Sequence, residues 1–306
     1  MMLTLAAVAH LSSPNLQREE KTVDLWLGGD VNLGDGGHGQ LDGILGIVQG
    51  AVGIVNLEGP VTEHRELKAR GLRLWNAPSA LKEISTLNVR VAGIANNHAA
   101  DAGPLGPRQT AARLREHGIT PAGGTTGAAI VQVNGLVIAV TAHDLTGGVP
   151  VNLAQELASV RRQTLIGGVL RPVDVLVATF HVTGPPSYLP RPELKRAVEI
   201  AYRAGAQIIA AHGTHAVGPV ERREHAVIVW GLGNVAFACD CTSEQDALLV
   251  RVRVTGGKIV SAEVVPIQAG LDLQPAGPSQ DAAAILDLLE AIGSSKLQRL
   301  GNVAAF

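Results

Sequence analysis

Short apolar runs recur along the chain from Val23 onward, and each is followed by a polar or glycine-rich turn and then an amphipathic stretch. This alternation is typical of β-α units. Five of the runs are predicted to be strands: 23–29, 52–58, 89–95, 173–180 and 206–212.

The clearest helix is predicted within RPELKRAVEIAYRAGA, residues 191–206. Pro192 suits a first helical turn, apolar residues from Leu194 to Ala201 repeat at helical spacing, and Gly205 ends the pattern. A second amphipathic helix is predicted over 279–292.

Two segments are typical of β-hairpins. Residues 131–141 contain the turn dipeptide Asn134-Gly135 between β-rich arms, and 248–265 contain Gly256-Gly257. Parallel units and antiparallel hairpins together predict an α/β fold of mixed sheets, packed face to face with helices outside. We found no internal repeat.

Composition narrows the choice of partners. Of 306 residues, 46% are hydrophobic but only 3% aromatic, which suits sheets buried under helices and argues against base-stacking surfaces. The net charge of -2 has no basic block behind it, so nucleic acid is not an expected partner. The sequence contains no run of about 18 apolar residues, so no membrane-spanning segment is predicted.

No linker divides the chain, and we expect a single domain over 23–306 after an N-terminal extension, 1–22.

The N-terminal segment leaves the compartment undecided. The segment MLTLAAVAHLSS resembles the apolar part of a signal peptide, but no Lys or Arg precedes it and His10 interrupts it. We interpret it as a frayed terminus and leave cytoplasm and cell envelope both open.

Cys239 and Cys241 are too close in sequence for an easy unstrained disulfide, so two ordinary thiols are expected, with metal binding as the alternative.

The candidate chemistry is collected at the predicted strand ends, where open α/β sheets bind ligands. Carboxylate, amide and imidazole side chains follow the five strands in turn: Asp30; Glu58; Asn96, Asn97, His98 and Asp101; His181; and His212 with His215. These are the ligand types of a hydrolytic two-metal site. The sequence lacks a G-x-S-x-G nucleophile elbow and a G-x-x-x-x-G-K-[ST] phosphate loop.

Each of these residues also has a simpler interpretation. An Asp before a glycine-rich turn, such as Asp30, is more often a turn former than a ligand, and Glu58 before Gly-Pro is compatible with a solvated loop acid. A single strand-end histidine such as His181 usually bonds a backbone group. Only their shared position favours a site.

These motifs, in this order, resemble the CapA family of poly-gamma-glutamate (capsule) synthesis proteins, a branch of the calcineurin-like metallophosphoesterase superfamily. The resemblance covers about residues 23–268 and rests on six blocks: GGDVNLG, IVNLEGPVT, ANNHAADAGPLG, FHVTG, AHGTHAVGPVE and WGLGNVAF. It implies a four-layer α-β-β-α sandwich with a metal centre at the strand ends of one edge.

The resemblance also implies roles for individual residues and a cofactor of two divalent ions, Mn, Fe or Zn. His98 is expected to position or protonate the leaving group, with Asp101 as its catalytic companion. Glu58 takes the bridging place. The expected metal ligands are Asp30, Asn32, Glu58, Asn97, His181, His212 and His215.

Three departures from the family pattern weaken one metal site. Gly213 stands where the first histidine of a His-x-His pair is expected, so His212 substitutes only if the backbone turns there. Val182-Thr183 replaces Trp-Gly, and Asn32 replaces a coordinating histidine of the wider superfamily.

Three interpretations follow. One is a metal-dependent hydrolase that cleaves a phosphoester or a gamma-glutamyl or peptide amide bond, acting on a small molecule or polyglutamate. Another is a degenerate member that binds polymer or partner proteins in envelope assembly without catalysis. The third, that these polar groups only satisfy turns, requires the motif order to be a coincidence.

Overall fold

Both predicted hairpins are present in the computed structural model, which describes residues 20–36, 39–63, 72–162, 164–239, 244–271 and 274–306. Asn134 and Gly135 have φ angles of 48° and 76°, and Gly256 and Gly257 have 57° and 79°. Positive φ at both central residues is the turn geometry whose twist matches that of the flanking strands.

The described residues form nineteen strands and six α-helices. The strands are β1 (Thr22–Asn32), β2 (Val52–Leu57), β3 (Val89–Gly93), β4 (Thr120–Ala122), β5 (Ala129–Val133), β6 (Leu136–Asp144), β7 (Thr164–Ile166), β8 (Val169–Arg171), β9 (Val175–His181), β10 (Ile208–His212), β11 (Val220–Arg223), β12 (Ala226–Val229), β13 (Asn234–Phe237), β14 (Asp246–Thr255), β15 (Lys258–Gln268), β16 (Gly270–Leu271), β17 (Gly277–Pro278), β18 (Gln298–Leu300) and β19 (Val303–Ala305). The helices are α1 (Leu45–Val48), α2 (Ala80–Thr86), α3 (Gly106–Glu116), α4 (Leu153–Arg162), α5 (Pro192–Arg203) and α6 (Ala282–Ala291), and two short 3-10 turns lie at Asp42–Ile44 and Gly124–Thr126.

Two mixed sheets carry the fold. The larger has the order β18-β19-β15-β14-β1-β2-β3-β4, with β13, β16 and β17 attached beside this path, and the other has the order β11-β12-β10-β9-β6-β5. Strands β1 to β4 are parallel, as are β6, β9, β10 and β12, whereas the hairpin partners are antiparallel. β7 and β8 form a separate two-stranded sheet.

The alternation of side chains along β9 shows how the layers are built. Val175 and Val177 face the core between the two sheets, and Leu176 and Phe180 face the layer containing α4 and α5. Residues of α2 and α3 pack on the outer face of the larger sheet in the same way. Successive strand residues point to opposite faces, so a strand buried on both sides is apolar throughout. The predicted four-layer α-β-β-α sandwich is confirmed.

The predicted elements agree with the observed ones to within a few residues. α5 begins at Pro192 and is followed by Gly205 at a φ of 88°, and α6 lies inside the predicted 279–292 segment. Most of the predicted N-terminal extension, residues 1–19, lies outside the described residues, so the domain boundary stays a prediction. Among the helices described, none has the length and apolar character needed to cross a membrane.

Candidate metal centre

Asp30 is turned into the space between the sheets by an irregularity in β1. Leu25 and Leu27 face the inter-sheet core, whereas Trp26 faces the helices. Strict alternation would therefore place Asp30 on the helix side. The register of β1 against β2 shifts between Leu27 and Asp30, and the fully buried carboxylate reaches the histidines of the other sheet.

His181 and His212 approach Asp30 from the ends of β9 and β10. Both strand positions have the same parity as residues of the inter-sheet core, so both rings point toward the larger sheet. The Nδ1 atoms of the two rings lie 3.0 Å apart. His212 Nδ1 lies 3.5 Å and His181 Nδ1 3.7 Å from Asp30 Oδ1.

The backbone turn that His212 requires occurs at Gly213. Its φ is 78°, and its N–H donates to Asp30 Oδ2 at 2.6 Å. A Cβ atom at this position would lie 2.1 Å from the carbonyl oxygen of Val182 and 2.7 Å from the His181 ring. A histidine therefore does not fit at position 213 in this backbone, and His212 supplies the imidazole.

Glu58 and His215 form a second group with the same aspartate. Ligand atoms of Asp30, Glu58 and His215 lie within 4.8 Å of one another. Ligand atoms of Asp30, His181 and His212 do so as well. Asp30 is thus the carboxylate common to both groups, while Glu58 Oε1 lies 3.8 Å from His181 Nε2 and its bridging place stays a prediction.

Burial sets the protonation states of this cluster. Desolvation lowers the pKa of both His181 and His212 to about 3, so both rings are neutral near pH 7. Desolvation, and then repulsion from Asp30, raises the pKa of Glu58 well above its usual range. Glu58 Oε2 is buried and has no hydrogen-bond partner among the described residues.

The neutral imidazole rings and the buried carboxylates of this cluster fit the binding of divalent ions. An unpaired buried carboxylate oxygen costs free energy unless a cation or donor accompanies it. Neutral imidazole and carboxylate are ligands that Mn²⁺, Fe²⁺ and Zn²⁺ accept. The five residues of the two groups converge from four chain segments at one edge of the sandwich.

The two predicted amide ligands differ in their surroundings. Asn97 is exposed, and its Oδ1 lies 2.7 Å from His181 Nε2, next to the first group. Asn32 is buried, and its Nδ2 donates to the backbone carbonyls of Glu58 and Trp75, both at 3.0 Å. Asn32 thus holds the Glu58 loop in place through its amide nitrogen.

His98 and Asp101 form a connected pair beside the cluster. His98 Nδ1 lies 2.7 Å from Asp101 Oδ2, which also accepts the backbone N–H of Leu74 at 2.8 Å. Arg73 donates to the other oxygen at 3.1 Å. With its carboxylate committed in this way, Asp101 orients His98, and we describe it as a positioning residue.

Three asparagines organise the centre, and two of them, Asn56 and Asn234, were not among the predicted candidates. Asn56 donates to Asp30 Oδ1 at 2.7 Å, and its own Oδ1 accepts from Asn96 at 3.2 Å. Asn234 is the β13 partner of Asp30 and lies 2.9 Å from His215 Nδ1. All three stand inside the matching blocks, but nothing in the sequence separates a ligand from a supporting amide.

The prediction of two free thiols is wrong. Cys239 is disulfide-bonded, and the only other cysteine of the sequence, Cys241, lies outside the described residues. Cys239 is therefore excluded as a thiolate ligand of a metal.

Most residues of this centre lie in a part of the chain that matches a known protein family. The profile of the family described as "Bacterial capsule synthesis protein PGA_cap" matches residues 46–239. The chain belongs to the PGA_cap family. The matched range holds Glu58, the Asn97–Asp101 block and all three histidines of the two groups, whereas Asp30 precedes it.

A curated relative agrees with this assignment, and a solved structure shares the fold. The chain is 24% identical over 239 residues to "PGA biosynthesis protein CapA" of Bacillus subtilis (strain 168), an alignment covering 73% of this chain and 62% of that protein. The match thus spans about three fifths of the relative's length. A hypothetical protein from Thermus thermophilus has the same fold, with a TM-score of 0.54 and 11% identity over 81% of this chain and 100% of that one.

Proposed function

We propose that this PGA_cap protein is a metal-dependent hydrolase that cleaves a phosphoester or a gamma-glutamyl or peptide amide bond, in the metabolism of poly-gamma-glutamate or capsule. The observation that carries the proposal is the shared aspartate, because Asp30 belongs to both groups of potential ligands. Two cation sites that share a carboxylate are the arrangement of two-metal hydrolases.

The Asp30, His181 and His212 group would hold one ion, and Asp30, Glu58 and His215 the other. Divalent ions supply Lewis-acid polarisation of the scissile bond and activation of water. The neutral rings of His181 and His212 keep their lone pairs for coordination without first losing a proton.

His98 is the group that handles the leaving-group proton in this proposal. Asp101, fixed by Arg73 and Leu74, accepts the Nδ1 proton of His98 and so leaves Nε2 for the substrate. The nearness of His98 to the first group supports this role, since His98 is one of the neighbours that lower the pKa of His181. A carboxylate that orients an imidazole is a recurring device of acid-base catalysis.

A screen for hydrolysis tests the proposal. We expect the protein, purified without chelator and supplied with Mn²⁺, Fe²⁺ or Zn²⁺, to hydrolyse either phosphoesters or gamma-glutamyl peptides, and we expect Asp30→Ala to abolish this activity. Asp24→Ala, in the exposed part of the same strand, is the matched control. Activity that persists in Asp30→Ala would overturn the proposal.

The second candidate function is a binding protein without catalysis, and the observation that favours it is Gly213. No side chain fits at this position, where the resemblance expects the first histidine of a His-x-His pair. A binder of this kind is expected to carry little metal and to show no turnover with any of the three ions.

A further inference from the structure

A cavity of about 350 Å³ lies beside the candidate metal centre, next to the Glu58 loop. Asn32 at the end of β1, the segment 73–75, and Ala238 and Cys239 after β13 line it. Asn32 also donates to the Glu58 carbonyl at 3.0 Å, so the cavity adjoins the second group of potential metal ligands. Among the described lining residues, the arginine of the segment 73–75 is the only charged one.

Arg73 and Trp75 lie on the same side of their segment. Arg73 is exposed, Leu74 is buried, Trp75 is half-buried and Asn76 is buried. Such alternation is typical of extended backbone, in which residues two apart point the same way. The guanidinium and the indole therefore belong to one wall of the cavity that both of them line.

The guanidinium of Arg73 has donors left for a ligand. Its Nη1 donates to Asp101 Oδ1 at 3.1 Å, and no other described residue accepts a hydrogen bond from it. A guanidinium stays charged in proteins and carries five N–H donors, and the Arg73 side chain is 39% exposed. Nε and Nη2 thus remain for the paired hydrogen bonds with which arginine binds a carboxylate or a phosphate.

Arg73 also connects the cavity to the predicted acid-base pair. Asp101 accepts from Arg73 through Oδ1, and its Oδ2 lies 2.7 Å from His98 Nδ1. An anion bound to Arg73 is therefore separated from the His98 imidazole by the Asp101 carboxylate alone. That carboxylate offsets part of the charge of Arg73, so removing it should strengthen the binding of an anion.

We propose that this cavity is a subsite for an oxyanion of the substrate, a carboxylate or a phosphate apart from the bond that is cleaved, an inference that rests on the proposed hydrolase function. Arg73 supplies the charge and the paired donors, and the Trp75 ring forms the wall beside it. Both bond types of the proposed function offer such a group. A gamma-glutamyl unit has a free α-carboxylate, and a diphosphate ester has a second phosphate.

Binding of small probes to the full chain tests the subsite. Acetate, its neutral counterpart acetamide, and inorganic phosphate would be titrated by ligand-observed NMR, with metal-loaded and with chelator-treated protein. In the chelator-treated protein no metal ion holds the anion, and we expect acetate to bind about tenfold more tightly than acetamide because only acetate has the charge that pairs with Arg73. Tighter binding of acetate than of phosphate identifies a carboxylate subsite, and the reverse identifies a phosphate subsite.

Substitutions tie the binding to Arg73. We expect Arg73→Gln to weaken the binding of both anions by about tenfold, and Arg73→Lys, which keeps the charge but loses the paired donors, to weaken it less. Asp101→Asn should instead strengthen it. Arg299→Gln is the matched control, because Arg299 is 34% exposed and is also paired with an aspartate. Circular dichroism checks that each variant is folded.

The outcomes separate the subsite from the metal centre. Equal binding of acetate and acetamide to the chelator-treated protein, undiminished anion binding in Arg73→Gln, or no binding of either anion overturns the subsite even when the protein holds metal. An equal loss of binding in Arg73→Gln and Asp101→Asn overturns it as well, since that pattern is expected if Arg73 only holds Asp101 in place. Anion binding that is lost in Arg73→Gln and strengthened in Asp101→Asn, in a protein that holds no metal and hydrolyses none of the substrates, supports the subsite and contradicts the hydrolase.

Discussion

Gly213 donates its backbone N–H to Asp30 Oδ2 at 2.6 Å, and this bond joins the end of β10 in one sheet to the end of β1 in the other. His212, whose strand position points toward the larger sheet, lies with its Nδ1 3.5 Å from Asp30 Oδ1, and Gly213 turns the chain at a φ of 78° directly after it. A glycine that stands where a family histidine is expected is thus a structural requirement of this centre, because it lets His212 act from one position earlier.

Replacing Gly213 should damage both the fold and the metal centre. In Gly213→Ala, the left-handed backbone and the contact between the new Cβ and the Val182 carbonyl are expected to lower the free energy of unfolding by about 1–3 kcal/mol or more. Bound metal should fall with it. Urea unfolding and elemental analysis measure the two effects, with Gly147→Ala as the control because Gly147 has open space around it. Equal stability of the two variants would contradict this role.

Asn234 should set the tautomer of His215. Because an amide oxygen only accepts, the 2.9 Å contact assigns the proton to His215 Nδ1 and leaves Nε2 with its lone pair. Asn234→Leu should weaken metal affinity by about 10- to 100-fold. Asn234→Asp keeps an acceptor and should retain most of the affinity. Competition with a metal indicator measures both, and a loss of equal size in the two variants would rule out control of the tautomer.

The stability of the metal-free protein should fall in acid through His181 and His212. Each ring has a folded pKa of about 3 against an unfolded value near 6.5, so the unfolded chain binds more protons between these values. Stability is then full above about pH 6.5 and is lost as the pH falls, by at most about 1.4 kcal/mol per pH unit for each ring.

Urea unfolding of chelator-treated protein between pH 7 and pH 4 measures this loss. Glu58 acts in the opposite direction, since its raised pKa favours the folded state at low pH and disfavours it as the pH rises. In Glu58→Gln the stability should therefore fall more steeply as the pH is lowered. A stability that does not change over this range in either protein would refute the buried neutral histidines.

His98 and Asp101 should affect turnover without affecting metal content. His98→Gln is expected to lower kcat by about 10²- to 10⁴-fold with both ions retained, because only the proton transfer is lost. Asp101→Asn should lower kcat less and shift its pH profile, since it acts through His98. A loss of metal in His98→Gln would instead make His98 part of the centre itself.

Much of the fold could be predicted because burial on both faces leaves a plain pattern. β2 and β9 are buried along their whole length and are apolar in sequence apart from Asn56, Thr179 and His181. The Asn-Gly and Gly-Gly turns marked two hairpins correctly. The residues of the two candidate groups lie among those named from strand ends and from the family resemblance, and their role as metal ligands stays a prediction.

What could not be predicted depends on the backbone at single residues. The shift in β1 that turns Asp30 inward has no sequence signal of its own. The supporting amides Asn56 and Asn234 are indistinguishable in sequence from ligands. The disulfide at Cys239 was missed because sequence separation alone argued against it.

The central claim is that Asp30 serves two ions, and metal content across four variants tests it most directly. Elemental analysis of protein purified without chelator should give about two ions per chain in the parent and in the surface control Asp24→Ala, and none in Asp30→Ala. His212→Ala and His215→Ala should each retain about one, with folding of every variant checked by circular dichroism. Two ions still bound to a folded Asp30→Ala, or none bound to the parent in the presence of added Mn²⁺, Fe²⁺ or Zn²⁺, would contradict the account.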